Sequence, residues 1–175
     1  EPGVAYIAVA GYKMNDFKPY IYKLTDFGKR WMRLDSDLPD DNFVRVVRAD
    51  PEREGLLYAG SEGGLFVSFD DGDHWQSLNM NFPTVPITDL RVRQNTLIAA
   101  TQGRGFWALD ELTVIRQLNV NLSEKRLHVF KPKPSSLMRW GGRTAANEGK
   151  NPPSGVVFSY FLAEEFEGPL SIDIR

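Results

Sequence analysis

The residues able to do chemistry in this 175-residue chain are scattered carboxylates, one glycine-flanked arginine and a set of aromatic rings. Glu62 precedes Gly63-Gly64, a tight turn from which a carboxyl group can act as a general acid. Glycoside hydrolysis needs a second carboxyl group roughly 5 to 10 Å away across the sugar, and Asp16 and Asp41 are the candidate partners. Asp35, Asp37, Asp40 and Asp41 crowd four carboxylates into seven residues, the hard oxygen ligands that calcium takes. Pro39 stands at the fifth position, however, and the Gly and Glu of an EF-hand loop are lacking. The stretch therefore reads as a solvated acidic loop, and no metal is assigned. Arg104, between Gly103 and Gly105, can offer a guanidinium to a carboxylate ligand. Tyr12, Phe17, Tyr20 and Trp107 can stack on a sugar ring, and Tyr12 and Trp107 join Arg104 as ligand-binding candidates. His74 and His128 sit at no triad motif and at no zinc spacing, and no glycine-rich loop opens a helix to hold phosphate. No cofactor is expected.

Composition narrows the partners. The chain carries 21 Lys+Arg against 23 Asp+Glu, a net charge of −2, so no global positive field gathers nucleic acid. With no cysteine, disulfides and thiolate–zinc sites are excluded, and the compartment stays open. No run approaches the roughly 18 apolar residues that cross a bilayer as a helix. The N-terminus lacks a basic and apolar leader, and Val4–Ala10 already reads as a buried strand, so any signal peptide is expected upstream or removed.

A repeat sets the elements that must position these groups. The segment 26–34 returns 44 residues later as 70–78, with Asp, Gly, Trp and Leu in register, and Pro39 returns as Pro83. A second match, offset by 40, sets 57–70 against 97–110. Within each copy the apolar residues fall in short runs bounded by Gly, Pro, Asp and Asn, the pattern of strands. The middle copy predicts Phe43–Arg48, Leu56–Gly60, Leu65–Phe69 and His74–Leu78. The third predicts Ile87–Val92, Thr96–Ala100, Phe106–Asp110 and Thr113–Leu118. The first offers Val4–Ala10, Tyr20–Leu24 and Arg30–Leu34, and lacks an opening strand. Tandem four-stranded antiparallel meanders of this length are β-propeller blades, so the expected fold is all-β, with about 2.75 blades. A ring needs roughly four or more blades. The chain is therefore expected to be part of a larger protein, or one copy in an assembly joined through open blade edges.

The segment 68–75 fits Ser-x-Asp-x-Gly-x-x-Trp. Asp can bond turn amides, Gly accepts positive φ, and Trp buries a large surface beside the hairpin. The motif resembles the Asp box, or BNR repeat, of sialidases, xyloglucanase-type glycoside hydrolases, sortilin-type receptors and photosystem assembly propellers. At 24–31 the leading Ser is replaced by Leu24, and the copy ending at Asp110 has lost Gly and Trp. Together with 18–23, 59–64, 101–107 and 151–155, these residues resemble large bacterial exported proteins with BNR or sortilin-like repeats. The resemblance implies a structural role for Asp26, Gly28, Trp31, Ser68, Asp70, Gly72 and Trp75, and leaves ligand binding to the opposite loops, at 11–19, 35–42, 61–64, 79–86 and 101–105. It also implies blades over 1–130 (1–39 partial, 40–83 and 84–130), a Pro/Gly-rich linker at 131–155, and the first strands of a β-sandwich at 156–175. The linker holds Lys131, Lys133, Arg139, Arg143 and Lys150 against Glu148, a spaced set read as solvated charge rather than a nucleic-acid site. Asn121-Leu122-Ser123 matches a glycosylation acceptor, a short motif often met by chance.

Three functions follow from this reading. The first is a non-catalytic binding or scaffold module of a periplasmic or extracellular protein, holding a peptide, protein or polysaccharide. The second is part of an Asp-box glycoside hydrolase. The sialidase arginine cluster is not recognisable, which disfavours that branch. The third is a structural unit that assembles with its own copies.

Overall fold

A computed structural model describes residues 2–118, 122, 124–135, 155–164, 168 and 171–173. The chain divides into two compact units, residues 1–112 and 113–175. The first unit holds three antiparallel sheets. Strands β1 (Ala5–Ala8), β2 (Ile21–Thr25) and β3 (Arg30–Arg33) form a meander in the order β1-β2-β3. Strands β4 (Val44–Ala49), β5 (Leu57–Ser61), β6 (Leu65–Ser68) and β7 (Gln76–Ser77) form a four-stranded sheet in sequence order. Strands β8 (Ile87–Arg93), β9 (Thr96–Thr101) and β10 (Phe106–Leu109) form the third, in the order β10-β9-β8. The fold is thus all-β and built of blade-like meanders.

Local chemistry explains the connections. Gly55 (φ +75°), Gly64 (φ +136°) and Gly72 (φ +97°) turn the middle meander where a side chain would be strained. β-Branched Val44, Val46 and Val47 fill β4, and the first and second sheets close on a core of Ile21, Leu34, Val44, Val47, Leu57, Ala59 and Trp75.

Three expectations need correction. Thr113–Leu118 is not a fourth strand: Leu112–Gln117 is a helix, α1. Leu112 and Ile115, three apart, are both buried, and the Gln117 amide donates to the Thr113 carbonyl at 3.0 Å. The predicted strand His74–Leu78 shrinks to β7, because backbone amides of His74 and Trp75 are taken by carboxylates instead of a ladder. The offset of 40 also fails at the third turn. Gly60 pairs with Leu65 while Ala100 pairs with Phe106, so the structural counterpart of Phe106 is Leu65. The 101–105 turn holds one residue more than 61–64, and every later position slips by one.

In the second unit, β11 (Leu127–Val129) pairs antiparallel with β12 (Tyr160–Leu162). The Gln117 side chain accepts from the Lys131 amide and donates to the Lys131 carbonyl, both at 2.9 Å. Of the expected linker, 136–154 lie outside the described residues, as do Asn121, Ser123, Leu170 and Ile174. Residues 171–173 carry no strand. Among the described residues no helix is long and apolar enough to cross a membrane.

Candidate functional site

The loop between β1 and β2 is shaped by its own backbone. The Gly11 carbonyl accepts from the Met14 and Asp16 amides, and Asn15 takes a left-handed conformation (φ +60°) that short polar side chains tolerate. This fold presents Tyr12 and Phe17 toward Phe43, just ahead of β4. Tyr12 stacks on Phe43 at 5.0 Å with the rings 21° apart, and Phe17 is tilted against Phe43 at 6.3 Å. Phe43 is buried; Tyr12 and Phe17 keep much of their surface in solvent.

Arg45 joins this cluster to the 61–64 turn. Its guanidinium carbon lies 4.9 Å from the Phe43 ring and 5.6 Å from the Tyr12 ring. Nε and Nη2 donate to Oε2 of Glu62 at 3.0 and 2.7 Å. Asn42 completes the rim by accepting the Gly63 amide at 2.7 Å. Among the described residues, Glu62 Oε1, the Tyr12 hydroxyl and the Asn42 amide nitrogen make no hydrogen bond. Exposed rings thus stand beside one free acceptor and two free donors, on the face of a held carboxylate.

The catalytic candidates fare differently. Asp16 accepts the Tyr20 hydroxyl at 2.7 Å and the Lys18 amide at 3.1 Å. The Tyr20 bond foremost, then the Lys18 amide, holds its carboxyl below the usual aspartate value, while the Tyr20 phenol is raised by the same contact. A general acid needs the opposite shift. Asp41 is exposed and bonds to nothing among the described residues. Of the acidic loop, Asp35 is buried in a two-bond pair with Arg33 (2.7 and 2.8 Å), and Asp37 accepts the Trp75 amide at 3.2 Å. Two of the four carboxylates are therefore spent on structure. No cluster of three or more metal-holding side chains occurs among the described residues.

The ligand candidates divide between two turns. Arg104 caps the 101–105 turn: its amide donates to Thr101 Oγ1 at 3.1 Å and its carbonyl accepts the Trp107 indole at 3.2 Å. Trp107 meets Phe82 edge-on at 5.1 Å beside a cavity of about 50 Å³, too small for a sugar. Tyr12 belongs to the other cluster. Phe43, Asn42 and Arg45 were not singled out in the sequence, since a buried Phe and a strand arginine have no motif. Their signal is positional: Asn42 ends the 35–42 loop already assigned to binding, and Phe43 and Arg45 follow directly after it.

The Asp-box residues make a closed set of bonds. Ser68 Oγ accepts the Gly72 amide at 2.8 Å and donates to Asp70 Oδ1 at 2.9 Å, and the same oxygen accepts the His74 amide at 2.9 Å. The Trp75 indole donates to the Leu34 carbonyl at 2.6 Å, fastening the second sheet to the segment after β3. In the first copy, Leu24 replaces the serine, Asp26, Phe27 and Gly28 all have positive φ, and Trp31 donates to its own Gly28 carbonyl at 2.9 Å. A cavity of about 910 Å³, lined by Lys23, Arg48, Asp50, Arg53 and Asp71 among others, lies at this end. Asp71 there already receives Tyr6 and Lys23.

No family model matches the chain, and no curated protein does. Among solved structures, an ancestral GH74 enzyme resembles 58% of the chain at 21% sequence identity with a TM-score of 0.46. The matched region amounts to 12% of that structure's chain.

Proposed function

We propose that this chain is a non-catalytic binding module of an exported protein, holding a polysaccharide on the Tyr12–Phe17 platform. The observation that carries the reading is the Arg45–Glu62 pair beside exposed aromatic rings. A ring offers its face to the C–H side of a sugar, and free donors and acceptors at its rim meet the hydroxyls. The Glu62 carboxylate is tied through Oε2 to Arg45, so it serves as an oriented acceptor through Oε1. The same pair neutralises the guanidinium, which favours an uncharged sugar over an acidic one.

Hydrolysis is the weaker reading, because Asp16, the candidate partner inside the same loop, is held ionised by Tyr20. Calorimetric titration with soluble β-glucan, arabinoxylan and galactomannan, with a parallel assay of new reducing ends, tests both. Binding without reducing ends is expected. Tyr12→Ala and Phe17→Ala are each expected to weaken it roughly threefold to tenfold, the worth of about 0.5–1.5 kcal/mol per aromatic contact. Reducing ends abolished by Glu62→Gln would establish the hydrolase instead. Polysaccharide affinity untouched by both aromatic substitutions, or none at all, would end the platform reading.

A further inference from the structure

Asn42 lies two residues ahead of β4 and Asn79 two residues beyond β7, and both fold their side chains onto the turn between β5 and β6. Asn42 Oδ1 accepts the Gly63 amide at 2.7 Å, and Asn79 Oδ1 accepts the Leu65 amide at 2.8 Å. Paired glycines make the room for them. A Cβ on Gly63 would meet Asn42 Nδ2 at 2.8 Å, and a Cβ on Gly64 would strike Asn79 Oδ1. The Glu62 amide itself donates to the Phe43 carbonyl at 3.1 Å. The backbone at and after Glu62 is therefore held at Glu62, Gly63 and Leu65, while Arg45 holds Oε2 of its side chain.

The third sheet shows that such a turn forms without these asparagines. Its Thr101 amide and hydroxyl donate to the Gly105 carbonyl at 3.1 and 2.8 Å, as those of Ser61 donate to the Gly64 carbonyl at 2.9 and 3.0 Å. Thr101 Oγ1 accepts the Arg104 amide at 3.1 Å, and Ser61 Oγ accepts that of Gly63 at 3.2 Å. The Gln102 amide donates to the Pro86 carbonyl at 2.9 Å, the bond that Glu62 makes to Phe43. Matching Pro86 to Phe43 puts Val85 where Asn42 stands, and a Cβ on Gly103 would meet nothing within 4 Å among the described residues. The asparagine bonds are thus additional to the closure of the turn. Register also sets Thr88 and Gln102 in the places of Arg45 and Glu62, so Asn42 occurs in the copy that carries the ion pair.

We propose that Asn42 and Asn79 are positioning residues for Glu62, holding its turn so that Oε1 is aimed before a sugar arrives. The ligand in this proposal rests on the polysaccharide reading; the role of Asn79, outside the aromatic platform, goes beyond it. A turn already ordered loses little further freedom on binding, so Asn79 raises affinity without touching the sugar.

Asn79→Ala gives the cleaner test, because the free nitrogen of Asn42 stands at the rim of the platform. In the ligand-free chain, proton exchange followed by NMR is expected to be several times faster at the Leu65 amide and at Arg45 Nε, which reports on the Glu62 pair. In calorimetry with whichever of β-glucan, arabinoxylan and galactomannan the parent binds, Asn79→Ala is expected to weaken affinity about threefold to tenfold. Asn79→Asp keeps the accepting oxygen and is expected to restore affinity to within about twofold. In a Glu62→Ala background, Asn79→Ala is expected to have no further effect on affinity, a coupling that a merely structural role would not produce. An equal loss in that background, or unchanged affinity in Asn79→Ala, overturns the proposal. A parent chain that binds none of the three polysaccharides ends the platform reading. Faster exchange at Arg45 Nε in Asn79→Ala then still upholds the positioning of Glu62, and unchanged exchange overturns it.

Discussion

The side chains of the middle Asp box form a titratable pair. Asp70 Oδ2 lies 2.6 Å from His74 Nδ1. Burial pushes the Asp70 carboxyl up, but bonds from the His74 amide, the His74 ring and Ser68 outweigh it and hold the group below its ordinary 3.8. The Asp70 hydrogen bond, then its charge, raises His74 above its ordinary 6.5. A raised histidine stabilises the fold fully below 6.5, and that contribution is lost as pH climbs through the folded value. A lowered aspartate contributes above 3.8 and loses its effect as pH falls through the folded value. The pair is thus most useful between those two ordinary values. His74→Gln is expected to lower the melting temperature more at about pH 5.5 than at about pH 9. Equal losses at both pH values would show that the ring acts by packing alone. Ser68 and the His74 amide both donate to Asp70 Oδ1 and fix the carboxylate beside the ring, whereas the first copy has Leu24 in the serine position.

At the scale of elements, the second and third sheets approach so closely that one strand position tolerates no side chain. A Cβ on Gly60 would meet two Ile87 atoms at 2.5 and 2.8 Å and Val46 at 2.8 Å. Gly60→Ala is expected to cost about 1–3 kcal/mol through overpacking. In a chain of this size that lowers the melting temperature by roughly 2–4 °C per kcal/mol. A variant that melts with the parent would mean that the two sheets are not in contact along β5 and β8. The close approach was legible in part, because an isolated Gly within a strand pattern signals a near backbone neighbour. The identity of the neighbour, Ile87, was not, since it comes from another repeat 27 positions on. The fourth strand of the third copy was misread for a similar reason. Short apolar runs carry little periodicity, and the three-residue spacing of Leu112 and Ile115 settles as a helix.

For the whole molecule, net charge and its distribution set what the chain attracts. At −2 overall, with the five linker cations spread along 131–150, long-range attraction to nucleic acid is weak. Fluorescence anisotropy with a duplex DNA at about 0.15 M salt is expected to show no binding at about 10 µM chain. A rise that vanishes on adding salt would instead make the basic stretch a phosphate-binding segment. The charge distribution also bears on the platform, where the only described guanidinium, Arg45, is already paired to Glu62.

The sequence alone determined the all-β class, the meander of short strands and the positions of the Asp-box residues. Those features are local: strand alternation, turn glycines and a tryptophan at fixed spacing act within a dozen residues. Tertiary structure decided what each of those residues meets. It buried Trp75 against the preceding copy and left Trp31 in solvent, although both follow the same motif. It shifted the third hairpin by one residue through a longer turn, which turned Phe106 outward. It also tied Glu62 to Arg45, and Asp16 to Tyr20, converting two candidate acids into held carboxylates. Such outcomes depend on which distant backbone arrives at a given side chain. Burial and ion pairing are properties of that encounter, not of either segment by itself.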